Sequence, residues 1–292
     1  MRLDRASLSD RRPVSSLGVS AGLEQLLTRL DLAPDPVRPQ TWIGSAGTGS
    51  LNRSQNLFGG LIAAQVIMAA GRSQPDRRVH AVQQVFLRAG NVVDPLHYQV
   101  ASLFEGHVHA TVLVAVEQAG EIISHAQVGF TRGRSGQADI DEPVPWGGEP
   151  PADAVDRERF RRATRDDHTP PIEMQVRETQ QRDRSPDLDI WLRTGGDPGD
   201  DALRHLALLG YASDRGMLSV AGKVLGEPDG LVMSTVNHNL WFHRPIDLRA
   251  WHLHRVRART HADGRALVDG AVYDPSGRLV ASSRQEGMAR VR

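Results

Sequence analysis

Two short stretches half a chain apart repeat each other. Phe86-Leu87-Arg88 and Phe242-His243-Arg244 stand 156 positions apart, and the turn glycines Gly120 and Gly277 stand 157 apart. Around both pairs the pattern predicts the same order: a helix, a strand carrying Phe-x-Arg, two long strands, a Gly turn and a closing strand. Self-similarity at one fixed spacing predicts a duplicated unit rather than two unrelated domains. One helix against an antiparallel sheet is α+β. Two such units side by side would give one continuous sheet around two helices.

The second copy carries the more telling strand, 235–245, which reads TVNHNLWFHRP. Its β-branched and aromatic residues are strand formers, and Pro245 cannot continue a ladder. Strict alternation places Val236, His238, Leu240 and Phe242 on one face, with Thr235, Asn237, Asn239 and Trp241 on the other. Elsewhere, Leu23, Leu26, Leu27 and Leu30 recur at helical spacing, so 21–32 reads as an amphipathic helix. Phe58-Gly59-Gly60 opens a small-residue run whose alanines let a helix lie close to a sheet. Residues 201–225 read as helical with a weak point at Gly210. Pro, Gly and charge dominate 133–170, which reads as a linker with at most a short helix. The expected division is a disordered leader at 1–20, an N-terminal unit at 21–132, that linker, and a C-terminal unit at 171–292.

Composition removes several classes of function. The 35 basic and 35 acidic residues balance, so no global field draws nucleic acid or an anionic membrane. No cysteine is present, which excludes disulfides, thiolate zinc sites and a Cys nucleophile. The most apolar run, 61–70, is too short to span a bilayer. The charged first residues lack the apolar core of a secretory signal, so a cytoplasmic location is expected.

The motifs FGG before an Ala-rich helix, HAVQQVFLRAG, LLGYASDRGML, STVNHNLWFHRPIDL and GRLVASSRQEGMAR occur in this order. In that order and spacing the chain resembles the acyl-CoA thioesterase II family, from roughly residue 23 to residue 290. The resemblance implies a double hot-dog fold, two repeats each of a long helix wrapped by an antiparallel sheet. It also implies hydrolysis of fatty acyl-CoA to free acid and CoA, without metal, cofactor or covalent intermediate. The catalytic residues it implies are Asp214 of YASD, Thr235 ahead of the His-x-x-Trp-Phe-His-Arg-Pro strand, and Gln285 of the Gln-Glu-Gly motif. Acyl-CoA is the implied partner, and a homodimer or homotetramer the implied assembly. Two places depart from the family pattern: Gln55-Asn56-Leu57 lacks the usual Arg ahead of FGG, and Phe104-Glu105-Gly106 replaces an Arg-Asp-Gly turn.

The three residues suit the chemistry. Thioester hydrolysis needs a water deprotonated as it attacks, and donors for the developing oxyanion. A carboxylate supplies the base, while a hydroxyl and an amide orient the water. In the repeat register Asp214 falls beside the start of the first helix, so a helix start is expected near Ser213-Asp214, with spare amides for an oxyanion. The same register sets Phe58, Val79 and Val128 opposite Asp214, Thr235 and Gln285, and predicts one site per chain.

Plainer readings compete. Ser213-Asp214 is a common N-cap pair, Thr235 a common strand former, and Gln285 a typical surface residue. His238 and His243 read as hydrogen-bonded structural histidines. The pairs His107/His109 and His252/His254 read as solvated strand faces, and Arg88 and Arg244 as ion-pair or carbonyl-binding residues. Two other functions compete: a hot-dog enoyl-CoA hydratase, whose chemistry wants a His close after the Asp where this chain has none after Asp214, and a non-catalytic acyl-CoA-binding paralogue.

Overall fold

A computed structural model describes residues 19–47, 57–133, 140, 143–156, 170–179, 187–226 and 228–291. Residues 1–18 of the expected leader and the Gln55-Asn56 departure lie outside the described residues. Helix α1 (Ala21–Leu30) starts at Ser20, whose hydroxyl accepts from the Leu23 amide, and buries Leu23, Leu26 and Leu30. After short strands β1 (Ala33–Pro34) and β2 (Thr41–Gly44) comes α2 (Gly59–Ser73), buried continuously from Gly60 to Gly71. A helix buried all round is one enclosed by other elements.

Strands β3 (Arg78–Phe86), β4 (Leu96–Glu105), β5 (His109–Gln118) and β6 (Glu121–Thr131) follow. Further on are β7 (Val155–Asp156), β8 (Ile172–Thr179) and β9 (Asp187–Thr194), then helices α3 (Ala202–Ser213) and α4 (Met217–Val224). The chain closes with β10 (Leu231–Phe242), β11 (His252–Ala262), β12 (Arg265–Tyr273) and β13 (Leu279–Val291).

Among the described residues these strands form one 13-stranded sheet, ordered β1-β2-β4-β5-β6-β3-β10-β13-β12-β11-β9-β8-β7. The two halves meet where β3 pairs antiparallel with β10. Irregularities recur at the repeat spacing. β3 bulges between Val79 and Ala81, and β10 between Thr235 and Asn237; β4 bulges between Ser102 and Phe104, and β11 between Ala258 and Thr260. Arg88 Nη1 donates to the Ile122 carbonyl at 2.7 Å, and Arg244 Nη1 to the Leu279 carbonyl at 2.6 Å. The carbonyl-binding role expected of these two arginines therefore holds.

Two local expectations are corrected, and a third is met only in part. No helix starts at Ser213-Asp214: α3 ends there, Asp214 is its C-cap, and α4 begins after Gly216, whose φ of 103° suits only glycine. The weak point is thus this break and not Gly210, which lies inside α3, where an added β-carbon would stand 2.7 Å from Ile67 Cδ1 of α2. Gly210 is a close-approach residue between two helices. Gly60 plays the same part from the other side, its missing β-carbon clearing the Tyr211 carbonyl of α3 by only 2.6 Å. The close packing expected of Gly59-Gly60 is thus split: Gly59 lies against the Phe86 ring of β3 and Gly60 against α3.

Residues 144–156 of the expected linker run against the second half. Trp146 packs with Trp191, Trp251, Leu253 and Tyr273, and its indole N–H donates to the Asp274 carbonyl at 2.8 Å. Val155 and Asp156 extend the sheet beyond β8. Among the described residues no helix is long and apolar enough to cross a membrane.

Candidate active site

The break between α3 and α4 aims Asp214 at the inner face of β10 and β13. Thr235 reaches it because of the β10 bulge. Strict alternation set Thr235 on the face opposite His238, but the bulge at Val236 brings both inward, correcting the expected face. Gln285 needs no such device, since β13 alternates regularly and buries residues 281, 283, 285, 287 and 289. The structure therefore brings all three candidate residues together.

Gln285 Nε2 donates to Asp214 Oδ1 and, at 3.0 Å, to Thr235 Oγ1; Thr235 Oγ1 donates to Asp214 Oδ1 at a longer 3.5 Å. One amide thus fixes both neighbours. Gln285 is fully buried, against the surface reading, and its Oε1 has no hydrogen-bond partner among the described residues. A buried acceptor of this kind is aimed at something. Asp214 and Thr235 are half-buried, so the cluster is open on their side.

The helix start beside Asp214 is that of α2. Asp214 Oδ2 lies 3.2 Å from where a β-carbon on Gly59 would stand, so glycine leaves room for the carboxylate. Phe58, the N-cap of α2, makes no side-chain capping bond. Its ring instead stands edge-on to Tyr211, 5.2 Å between centroids, with the Arg215 guanidinium 5.3 Å from the Phe58 centroid.

His238 Nε2 meets Ser213 Oγ at 2.9 Å, as the structural reading of His238 requires. Burial holds its pKa below the ordinary histidine value, while the Asp214 charge pulls the other way. His243 Nε2 pairs with Ser282 Oγ at 2.9 Å. The solvated-face reading of His252 and His254 is wrong: both face inward and are 2% and 0% exposed. His254 Nε2 contacts Ser283 Oγ at 3.0 Å, and burial, with nearby His238 adding to it, pushes its pKa down to about 3. Gly270 leaves the space this pair occupies. His107 and His109 are exposed as expected. Sequence reasoning missed Ser213 as a hydrogen-bonding partner; its place beside Asp214, with His238 on the inner face of β10, was the available signal.

At the matching positions of the first half, Val79 and Val128 are buried and Phe58 half-buried. None of the three carries a titratable group. An open groove lined by Leu225, Leu231, His261 and Arg290 lies at the far end of β10 and β13. It contains none of the three site residues. Among the described residues no group of His, Cys, Asp or Glu is placed to hold a metal.

A carboxylate, an amide and a hydroxyl thus share one partly open corner beside a helix start, inside an antiparallel sheet of hot-dog type. The chain matches "Acyl-CoA thioesterase N-terminal domain" over residues 49–131 and "Acyl-CoA thioesterase C-terminal domain" over residues 133–289. It belongs to the acyl-CoA thioesterase family. The chain is similar to "Acyl-CoA thioesterase 2" of Haemophilus influenzae, 27% identical over 253 residues, covering 81% of this chain and 88% of that protein. A solved acyl-CoA thioesterase II from Mycobacterium marinum superposes with a TM-score of 0.76 at 25% identity, covering 91% and 98% of the two chains. A hot-dog-fold protein of unknown function from Alicyclobacillus acidocaldarius superposes with a TM-score of 0.72 at 20% identity, covering 92% and 98%.

Proposed function

We propose that this chain hydrolyses fatty acyl-CoA thioesters by direct attack of a water held by Asp214, Thr235 and Gln285. Asp214 takes the proton as the water attacks the thioester carbon. Thr235 and the free Gln285 Oε1 hold the water's remaining hydrogen-bonding positions, so it enters oriented. The first-turn amides of α2, left without a side-chain cap, receive the carbonyl oxygen as its charge develops. Collapse of the tetrahedral species expels CoA thiolate, which leaves as thiol once protonated.

The observation that carries this reading is the Gln285 amide bonded to both Asp214 and Thr235. The hydratase alternative is weaker, because the His nearest Asp214 is buried and engaged with Ser213. Release of free CoA from octanoyl- and palmitoyl-CoA, followed with a thiol reagent, tests the proposal. Wild type should release CoA, and Asp214→Asn should lose about a hundredfold or more in kcat while staying folded. Full activity in Asp214→Asn would overturn it.

The double hot-dog reading, two units at 21–132 and 171–292 joined by 133–170, belongs to the same proposal and is supported by the recurring bulges. A homodimer or homotetramer and a cytoplasmic location are proposed alongside. Light scattering and cell fractionation test those two.

A further inference from the structure

The polar residues of the site continue past Gln285 into the first half of the sheet. Gln285 of β13 stands opposite His238 of β10, and His238 stands opposite Gln84 of β3. The three are 0%, 1% and 0% exposed. Each holds one buried polar atom with no hydrogen-bond partner among the described residues: Gln285 Oε1, His238 Nδ1 and Gln84 Oε1. Buried polar atoms are nearly always paired, so three in one cross-strand row call for an account.

Proton bookkeeping supplies it. The Ser124 hydroxyl has one proton, which it donates to the Val85 carbonyl at 2.8 Å. It therefore accepts from Gln84 Nε2, at 2.9 Å, and this fixes the Gln84 amide with Oε1 as the remaining acceptor. Gln285 Oε1 is committed to the attacking water in the proposed chemistry. Directly opposed side chains of an antiparallel pair have β-carbons roughly 4.5–5.5 Å apart, within reach of each other or of one shared water.

We propose that Gln84 is a positioning residue for the hydrolysis: its Oε1 accepts from Nδ1–H of His238 through one bridging water. This makes Nε2 the acceptor for the hydroxyl of Ser213. The inference rests on Asp214 being the base. The tautomer follows from it: with Nδ1 carrying the proton, Nε2 takes the Ser213 proton at 2.9 Å, in preference to the Gly210 carbonyl at 3.2 Å. The last residue of α3 is thereby tied to β10 where the chain turns into Asp214. A first-half side chain would thus help orient a second-half carboxylate.

The imidazole must stay neutral for this. The charged or titratable groups beside it are Asp214 at the end of α3 and His254 on β11; its cross-strand neighbours Gln84 and Gln285 are uncharged. Burial favours the neutral form of His254, whose pKa is pushed down to about 3. Protonating His238 removes the Nε2 acceptor and sets a cation beside Asp214, so kcat should fall on the acid side.

The test compares Gln84→Leu, Gln84→Glu and Asp214→Asn in the full chain, with octanoyl-CoA, thermal melts and kcat–pH profiles. Gln84→Leu should lower kcat about tenfold with KM within about twofold. In the near-isosteric Gln84→Glu, a carboxylate opposite the imidazole favours its charged form, so the acid limb of kcat should move up by about one pH unit. Wild-type kcat and an unmoved acid limb in both Gln84 variants, with Asp214→Asn inactive, would overturn this inference and leave the catalytic reading standing. A loss in Gln84→Leu with no shift in Gln84→Glu would make Gln84 merely structural and also overturn it. An active Asp214→Asn would bring down both.

Discussion

Gln285 donates to two oxygens with one nitrogen, and Thr235 reaches Asp214 only at 3.5 Å, so the two partners of the carboxylate differ in weight. Thr235→Val should therefore cost about tenfold in kcat, less than Asp214→Asn, while Thr235→Ser keeps the hydroxyl and most of the rate. Steady-state CoA release separates them, and equal losses in Thr235→Val and Asp214→Asn would contradict the ranking. His254 governs stability rather than rate. Its folded pKa of about 3 lies below the ordinary value of 6.5, so the unfolded chain binds the extra proton between the two. The stability of the neutral buried form is complete above about 6.5 and is lost as pH falls toward 3, at roughly 1.4 kcal/mol per unit. Urea midpoints at pH 7 and pH 5 should differ in wild type and differ less in His254→Gln. The three site residues were legible in the sequence only through the family resemblance. Alternation alone put Thr235 on the wrong face, because a bulge at Val236 leaves no mark in residue type. Inward placement of His238 followed from its alternation with Leu240 and Phe242. Burial of His252 and His254 did not follow, since polar residues at period two ordinarily mark a wet face.

Helix propensity and helix packing disagree at Gly210. Propensity predicts that Gly210→Ala gains about 1 kcal/mol, since glycine is a poor helix residue. The added methyl would stand 2.7 Å from Ile67 Cδ1, where α3 crosses α2, so overpacking of about 1–3 kcal/mol opposes the gain. The expected outcome is a net loss of stability in chemical denaturation, with kcat also reduced because α3 carries Asp214 at its end. A more stable, fully active Gly210→Ala would show that the helices yield without cost. The same conflict explains why 201–225 reads as one helix with a flaw at Gly210. Composition shows a glycine but not what it approaches, and the real break falls at Asp214–Gly216, where φ turns positive. The β4-β5-β6 hairpins were legible from turn residues such as Ala119-Gly120, but a simple meander was not the outcome: β3 pairs with β6 rather than β4, a contact between strands far apart in sequence. The ordered strap around Trp146 was not legible, because its contacts are with residues far away in sequence.

At the scale of the whole molecule, the halves share a ladder and a core. β3 pairs with β10 from Ala81–Trp241 to Val85–Asn237, and α2 packs along α3 through Gly60, Gly71 and Gly210. Cutting the chain within 133–170 would leave β3 as a bare edge strand beside Gln84, and strip α2 of its partner. Bare flat edges template association, and burying α2 contributes about 25 cal/mol for each Å² of apolar surface removed from water. Residues 1–132 alone should therefore be insoluble or self-associate, and the full chain should unfold in one cooperative step. Size-exclusion chromatography of the fragment, with unfolding of the full chain followed by far-ultraviolet circular dichroism and by tryptophan fluorescence, checks both. All five tryptophans except Trp42 lie beyond residue 132, so fluorescence reports mainly on the second half and circular dichroism on both. Coincident transitions are expected, because separating β10 from β3 would expose His238 and Gln84 together and undo the packing that holds Asp214. Two separated transitions, or a monomeric folded fragment, would mean that the halves are autonomous and that the junction stabilises neither.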